Sequence, residues 1–255
     1  MRIDLFLTKN GYAQSRARAQ AMIEEGLVSI NGKNVEKSSI EVDGTEAIIV
    51  AKHEEYVSRG AQKLLGAIKA FNLDFRGKVV LDMGSSTGGF TQVALKNGAQ
   101  KVIAVDVGKE QLDKSLRNDK RVVLLEQRDV RTLTAEEVQG IQLVIGDLSF
   151  ISLTKILPHI KEVLGSAEMC VLFKPQFECG KALAKKCKGV IKDEKIHIDL
   201  LNEFFDFVSS LDYDVRGLCP SPIKGGDGNR EYLVHLNGAK TSFKIDEVVK
   251  SNFAR

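Results

Sequence analysis

The sequence lacks any apolar run of the roughly 18 residues that a membrane-spanning helix needs. Charged side chains at Arg2 and Asp4 also exclude the opening of a secretory signal peptide. We therefore predict a soluble, cytoplasmic protein that has no membrane partner. With 255 residues, 43% of them hydrophobic, the chain can bury one α/β core and leave room for a small second domain.

Two further signals are weak in this sequence, namely cysteine spacing and net charge. The four cysteines form no C-x-x-C pair, and no histidine stands at ligand spacing from them. We therefore predict reduced thiols and no bound metal. The formal net charge of +3 does not by itself imply a nucleic-acid partner, so the placement of the charges matters more.

The strongest signal lies in residues 79–90, where an apolar run stops at Asp82 and meets a turn of glycine and serine. This arrangement predicts a buried parallel strand that enters a helix through a turn on which a ligand can lie. The next predicted strand, 101–105, ends at Asp106, about 20 residues after Gly84, where an acid meets a ribose in nucleotide-binding units. The glycines follow G-x-x-x-G-G, which does not fit a dehydrogenase. We predict a cofactor that carries a nucleoside.

Residues 1–57 are predicted to form a small α+β domain followed by a linker, His53–Val57. The pattern predicts helices at Asp4–Thr8 and at Arg16–Glu25, with Ser15 as N-cap and Gly26 as the stop. A strand over 27–30 and a tight turn at Asn31-Gly32 follow.

Helix, helix and hairpin in this order, in residues 15–33, resemble the S4 RNA-binding domain of ribosomal proteins and pseudouridine synthases. Residues 1–37 carry a basic strip, although residues 1–60 together hold slightly more acidic than basic side chains. The RNA-binding interpretation is that the strip touches RNA phosphates, and an ordinary solvated helix face is the alternative. The predicted RNA-binding residues here are Arg2, Lys9, Arg16, Arg18 and Lys33.

Residues 58–255 are predicted to form the larger domain. A helical pattern covers 58–71, and strand and helix patterns then alternate, which is typical of a doubly wound, mostly parallel sheet. The predicted strands after 101–105 are 122–125, 143–145, 170–173, 215–218 and 232–236, with a long amphipathic helix over 194–211. The last strand is expected to be antiparallel, so the fold class is α/β and Rossmann-like.

Three polar clusters stand at predicted strand ends, where open α/β sheets bind ligands. They are Gly146–Phe150, Lys174–Glu178 and Asn229–Glu231. Lys174 closes an apolar run and is followed by Pro175, which cannot continue the strand, so its side chain is expected to face the cleft. A lysine that simply extends to solvent is the alternative.

These clusters resemble the FtsJ-type ribose 2′-O-methyltransferases, and with the S4-like domain the whole chain resembles the hemolysin A (TlyA) family of ribosomal RNA methyltransferases. Stretches 56–64, 82–91, 147–153, 173–178 and 225–233 carry the likeness. The resemblance implies S-adenosylmethionine as cofactor and a catalytic tetrad of Lys63, Asp147, Lys174 and Glu231. It also places cofactor contacts at Asp82, Gly84, Ser85, Ser86, Thr87, Gly88, Gly89, Phe90, Asp106, Asp129 and Asp147.

Methyl transfer to a ribose hydroxyl needs an oxygen that loses its proton. A free lysine has a pKa near 10.4, so a lysine base needs a lowered pKa, which a neighbouring cation favours and a neighbouring acid opposes. We expect Lys174 to take the 2′-hydroxyl proton and Asp147 to orient Lys174 and face the sulfonium. Lys63 and Glu231 are then expected to fix the ribose.

Residues 174–195 hold seven lysines against three acidic residues. An RNA contact beside the cleft through Lys185 and Lys186 is one interpretation, and a solvated loop is the other.

The predicted function is 2′-O-methylation of a ribose, with cytidine implied by the resemblance, in ribosomal RNA. The short termini resemble the family's shorter form, which favours large-subunit RNA as the single target. We expect a monomer whose partner is ribosomal RNA or a ribosomal subunit, and not DNA. The alternatives are a non-catalytic RNA-binding or assembly factor and a membrane-active hemolysin. A small-molecule methyltransferase is disfavoured by the S4-like domain.

Overall fold

A computed structural model of the chain describes residues 1–13, 15–24, 26–50, 56–225 and 228–254. Two compact units make up the chain, Met1–Glu55 and Tyr56–Arg255. Most of the predicted linker, His53–Glu55, lies outside the described residues. In the described ranges, no helix combines the length and the apolar character needed to cross a membrane.

The first unit has the predicted order of helices and hairpin. Helices α1 (Ile3–Lys9) and α2 (Arg16–Glu24) precede strands β1 (Val28–Ile30), β2 (Lys33–Asn34) and β3 (Ile48–Val50), which form an antiparallel sheet in the order β2-β1-β3. The Ser15 hydroxyl accepts from the Arg18 amide at 3.2 Å, as expected of an N-cap. Asn31 and Gly32 have φ values of 49° and 78°, the left-handed geometry of the predicted hairpin turn.

The second unit is built on a seven-stranded sheet. Its strands are β4 (Val79–Met83), β5 (Lys101–Asp106), β6 (Val122–Glu126), β7 (Leu143–Gly146), β8 (Glu168–Phe173), β9 (Val215–Pro220) and β10 (Tyr232–Leu236). The sheet order is β6-β5-β4-β7-β8-β10-β9. Strands β4 to β8 pair in parallel, and β10 is antiparallel to both neighbours. The α/β class and the antiparallel last strand are therefore confirmed.

Helices cover both faces of this sheet because its strands are apolar on both sides. Val80 points to one face and packs with α3 (Gly60–Phe71) and α4 (Gly89–Lys96), whereas Leu81 and Met83 point to the other. The second face packs with α6 (Leu157–Leu164), α9 (Glu194–Ser210) and α10 (Ile245–Phe253). The remaining helices are short: α5 (Lys114–Arg117), α7 (Pro175–Glu178) and α8 (Gly180–Lys186).

Candidate active site

A cavity of about 710 Å³ lies in the second unit, at the carboxyl ends of β4, β7 and β8. Its lining includes the start of α3, the glycine turn between β4 and α4, and the polar residues that follow β7 and β8. A cleft at this edge is the usual ligand site of an open α/β sheet. All four predicted tetrad residues line it.

The four tetrad side chains form one continuous series of ion pairs. Lys174 Nζ lies 2.6 Å from Asp147 Oδ1, and Lys63 Nζ lies 3.0 Å from Asp147 Oδ2. Lys63 Nζ also lies 2.9 Å from Glu231 Oε2. Lys63, Lys174 and Glu231 are 8%, 5% and 3% exposed, so these contacts are shielded from water. The fold thus brings Lys63 into contact with Glu231, which lies 168 positions later in the sequence.

Local structure explains how each side chain reaches the cavity. Strand β7 ends at Gly146, and the Asp147 amide donates to the Met83 carbonyl of β4 at 3.1 Å, which fixes the first residue after the strand. Pro175 occupies the first turn of α7, where a missing amide hydrogen costs nothing, so the chain turns into a helix directly after Lys174. Lys63 lies in the first turn of α3, a turn that contains no acidic residue of its own.

The two lysines differ in their electrostatic surroundings. Burial lowers the pKa of Lys63, but Asp147 and Glu231 outweigh burial, so that its pKa is raised and the ammonium form is favoured. Burial likewise raises the pKa of Asp147, and the two lysines reverse this, so that its pKa is lowered. Among the residues that the structure describes, Lys174 has one carboxylate partner, and it also donates a hydrogen bond to the Ser149 hydroxyl at 2.8 Å. Lys63 is therefore held as a cation between two acids, whereas Lys174 ends the series.

The glycine turn is packed tightly against its neighbours. Gly84 has φ +80°, and a Cβ there would lie 3.2 Å from the Asp147 carbonyl oxygen. A Cβ on Gly89 would lie 2.3 Å from Ser58 Oγ and 2.9 Å from the Ala61 amide nitrogen, so only glycine lets α4 begin this close to α3. The turn therefore fixes α3, and with it Lys63, beside the cavity.

The predicted cofactor residues fall into two groups. Seven line the cavity: Gly84, Ser85, Ser86, Thr87, Gly89, Phe90 and Asp147. Asp82, Gly88, Asp106 and Asp129 are not among the lining residues. The Asp106 carboxylate accepts the Ser86 amide at 2.8 Å and the Gly108 amide at 2.7 Å, so it holds the turn from the end of β5. A Cβ on Gly88 would meet Leu116, and the Asp129 carboxylate pairs with Arg131.

Asp82 is fully buried beneath the turn. The Thr91 hydroxyl donates to its Oδ2 at 2.6 Å, and its Oδ1 has no partner among the described residues. Burial raises the pKa of Asp82 to about 7. In the unfolded chain the same carboxyl has its ordinary pKa of 3.8. The native state therefore keeps a proton over a range of pH in which the unfolded state has lost it.

This difference predicts a pH-dependent stability that an Asp82→Asn variant lacks. Between pH 4 and 7 the native state binds more protons at this site, so the free energy of unfolding of the wild type falls as pH rises, by at most about 1.4 kcal/mol per pH unit. Urea unfolding of both proteins at pH 5 and pH 8 measures this pH dependence. Contributions of the other titrating groups are the same in both proteins, so they cancel when the free energy of unfolding of the wild type is subtracted from that of D82N. We expect D82N to gain stability relative to the wild type at pH 8. An equal difference at the two pH values would contradict the raised pKa.

Two aromatic side chains that sequence analysis did not single out also line the cavity. Phe150 is 91% exposed and has φ +64°, an uncommon geometry for a bulky residue. Its ring centre lies 5.2 Å from that of Phe177. The only sequence signal for Phe150 and Phe177 was that they lie three residues after Asp147 and Lys174, respectively. The exposure and the backbone geometry that distinguish Phe150 cannot be read from a sequence.

Two of the five predicted RNA-binding residues of the first unit contact a buried acid. Arg2 and Arg16 both pair with Asp4, which is 0% exposed, at 3.0 and 2.9 Å. Both arginines remain partly exposed, while Lys9 and Lys33 are exposed. In the second unit, Lys185 and Lys186 are exposed on α8, and Ala184 of the same helix and Gly189, three residues after its end, line the cavity.

Comparisons with known proteins agree with both resemblances. The profile of the FtsJ-like methyltransferase family matches residues 56–238, and that of the S4 domain matches residues 1–48. The 16S/23S rRNA (cytidine-2′-O)-methyltransferase TlyA of Mycobacterium tuberculosis is 41% identical over 92% of this chain and 89% of its own length. The 23S rRNA (cytidine-2′-O)-methyltransferase TlyA of Campylobacter jejuni is 37% identical over 92% of this chain and 98% of its own length.

A solved structure of a Streptococcus thermophilus protein is 35% identical, with a TM-score of 0.73 over 100% of this chain and 96% of that one. Similarity therefore extends over both units and over the sheet that carries the cavity. The chain belongs to the FtsJ-like methyltransferase family and, within it, to the hemolysin A (TlyA) family, whose relatives it matches along nearly their whole length.

Proposed function

We propose that this protein transfers a methyl group from S-adenosylmethionine to the 2′-hydroxyl of a cytidine in ribosomal RNA, and that the target is the RNA of the large subunit. The observation that carries the proposal is the ion-pair series of Lys174, Asp147, Lys63 and Glu231 on the wall of one cavity. The two TlyA relatives named above, whose names both include 23S rRNA and cytidine, support the substrate. Residues 1–57 would serve RNA binding and residues 58–255 the chemistry, in a monomer that does not require DNA.

The residues of the glycine turn fit S-adenosylmethionine. The Ser85 hydroxyl is buried, lines the cavity and has no partner among the described residues, as expected of a group that a ligand completes. Asp106 offers carboxylate oxygens beside the turn, the group that binds a ribose diol in nucleotide sites. When bound, the cofactor supplies an electrophilic methyl group on a positively charged sulfur. Among the tetrad side chains, the Asp147 carboxylate is the one that we expect to face that sulfonium.

The protein residues then prepare the ribose oxygen. Lys174, at the open end of the series, is placed to act as base: its ammonium group first releases a proton to solvent, and its Nζ then accepts the 2′-hydroxyl proton. Asp147 keeps the Lys174 side chain in place through the 2.6 Å contact. Lys63 stays charged between two acids and, with Glu231, holds the ribose by hydrogen bonds without exchanging protons.

The aromatic pair at the cavity suits a nucleotide base. A flipped base is commonly held by stacking on aromatic side chains, and Phe150 presents an exposed ring next to Ser149 and the tetrad. We propose that Phe150 and Phe177 hold the base while the tetrad holds its sugar.

The direct test uses ribosomal RNA and subunits from cells that lack this protein. Purified protein and cofactor labelled with tritium in the methyl group are expected to label the RNA at a single cytidine, which 2′-O-methyl mapping then locates. RNA binding without label would favour the non-catalytic assembly factor. Dye release from liposomes tests the hemolysin alternative, and we expect none.

The lysine-rich segment is predicted to add phosphate contacts beside the cavity. A double variant, Lys185→Glu and Lys186→Glu, should weaken RNA binding and lower the slope of log K against log salt by about 1 to 2, because fewer counterions are released. The matched control reverses the charge of two exposed lysines, Lys101 at the amino end of β5 and Lys120 just before β6, through Lys101→Glu and Lys120→Glu. If the two double variants have the same salt slope, the segment is a solvated loop.

A further inference from the structure

Glu231 is held in place by residues that lie outside the cavity. Side chains alternate along an extended chain, so Arg230 and Tyr232 project to the side opposite Glu231, and neither lines the cavity. The Arg230 guanidinium donates to the carbonyls of Asn252 and Phe253, at 3.0 and 3.1 Å, and lies 4.4 Å from the Phe253 ring centre. These carbonyls end α10, where helical carbonyls lack partners. Arg230 therefore fastens the C-terminal helix beside the strand.

Asn252 makes the reciprocal contact from the helix. Its side chain is buried, and its Nδ2 donates to the main-chain carbonyl of Glu231 at 3.2 Å. The Ser221 amide, just after β9, donates to the same carbonyl at 2.9 Å. The backbone of Glu231 is thus fixed by two donors from different elements.

A buried polar series links Tyr232, the residue after Glu231, to α9. His197 Nε2 lies 3.1 Å from the Ile191 carbonyl, which can only accept, so Nε2 carries the ring hydrogen. His197 Nδ1 then accepts from the Tyr232 hydroxyl at 2.9 Å. Each group in the series has a partner, so the series can hold its members in one arrangement.

Within the described ranges of the chain, the carboxylate of Glu231 has few supports of its own. It lies 2.9 Å from Lys63 Nζ, and the Gln176 amide is at the outer limit of a hydrogen bond, 3.5 Å. Its position against Lys63 therefore depends mainly on where the backbone places it.

We propose that Asn252 is a positioning residue for Glu231, so that the C-terminal helix α10 sets the geometry of the tetrad from behind the sheet. The proposal rests on the methyl transfer assigned above. The FtsJ-like family match ends at residue 238, before α10 begins, so this support lies outside the matched domain.

The test replaces Asn252 with leucine, which has a similar volume and no donor. The Glu231 carbonyl keeps the Ser221 amide, so the variant should fold and bind one S-adenosylmethionine per chain, with only the small fall in unfolding midpoint that one lost hydrogen bond produces. We expect kcat for rRNA methylation to fall about tenfold, the scale of one lost hydrogen bond, with little change in KM. The exposed neighbour on the same helix, Ser251→Ala, is the control and should be unchanged.

A double-mutant cycle separates positioning from general support of the fold. If Asn252 acts through Glu231, N252L should change kcat less than twofold in an E231Q background. The same tenfold loss in both backgrounds, or no loss in either, would overturn the proposal.

A crystal structure of N252L gives a second test that needs no assay. We expect the Lys63 Nζ to Glu231 Oε2 distance to exceed 3.5 Å, and an unchanged 2.9 Å contact would also overturn the proposal. If instead the wild type does not methylate rRNA while this distance does lengthen, the proposed function fails and the positioning role stands.

Discussion

Lys174→Ala is expected to lower kcat for rRNA methylation by about 10³-fold or more and to leave S-adenosylmethionine binding intact. A positioned general base contributes roughly 10² to 10⁴ in rate, and the side chain also holds its place through Asp147 and Ser149. Calorimetric titration of the cofactor and a single-turnover methylation assay measure the two quantities separately.

Lys174→Arg distinguishes a proton acceptor from a fixed positive charge. Arginine keeps the charge and can pair with Asp147, but it does not lose its proton at accessible pH. If Lys174 is the base, K174R should be as inactive as K174A. Substantial activity in K174R would show that charge alone is needed. The exposed Lys101, at the amino end of β5, serves as the control through Lys101→Ala.

Asp147→Asn is expected to abolish activity and also to destabilise the fold by about 3 kcal/mol. Counting the described part of the chain only, removing this carboxylate leaves Lys174 with no acidic partner and Lys63 with Glu231 alone. Breaking one side of a buried ion pair is costly because the other charge stays buried without compensation. Urea unfolding at pH 7 measures the loss.

A double variant tests this explanation for Asp147. Replacing Lys174 with methionine in the D147N background removes the stranded ammonium group and should restore most of the stability while activity stays absent. If D147N is as stable as the wild type, the ion pairs do not support the fold. If the double variant is less stable than D147N, the cost does not come from an uncompensated lysine.

The sequence predicted the order of elements well because strong local signals marked them. Ser15 marked the start of α2, Asn31-Gly32 marked the hairpin, and apolar runs marked the strands. Short helices were missed where no period could develop, as in α7 and α8, which span four and seven residues. The helix α10 was also missed.

The tetrad residues could be named from the sequence, but their relations could not. That Lys63 lies between two acids while Lys174 ends the series depends on distances between residues that are far apart in the chain. Asp82 illustrates the same limit, because its position in the sequence does not say whether its carboxylate faces the cavity or supports the turn from behind. The strain at Phe150 and the bond from Asn252 to Glu231 likewise exist only in the folded chain.

The pairing of two lysines with two acids has a consequence for how substrate is captured. Because the four tetrad charges cancel, the tetrad itself exerts little net attraction on a polyanion, and we expect RNA to be recruited by positive residues outside it, among them Arg59 and Lys224 of the cavity wall. Recruitment and chemistry should then be separable. A variant with an inactive tetrad would then still bind the unmodified ribosomal particle. Purifying that complex would identify the assembly stage at which the enzyme works.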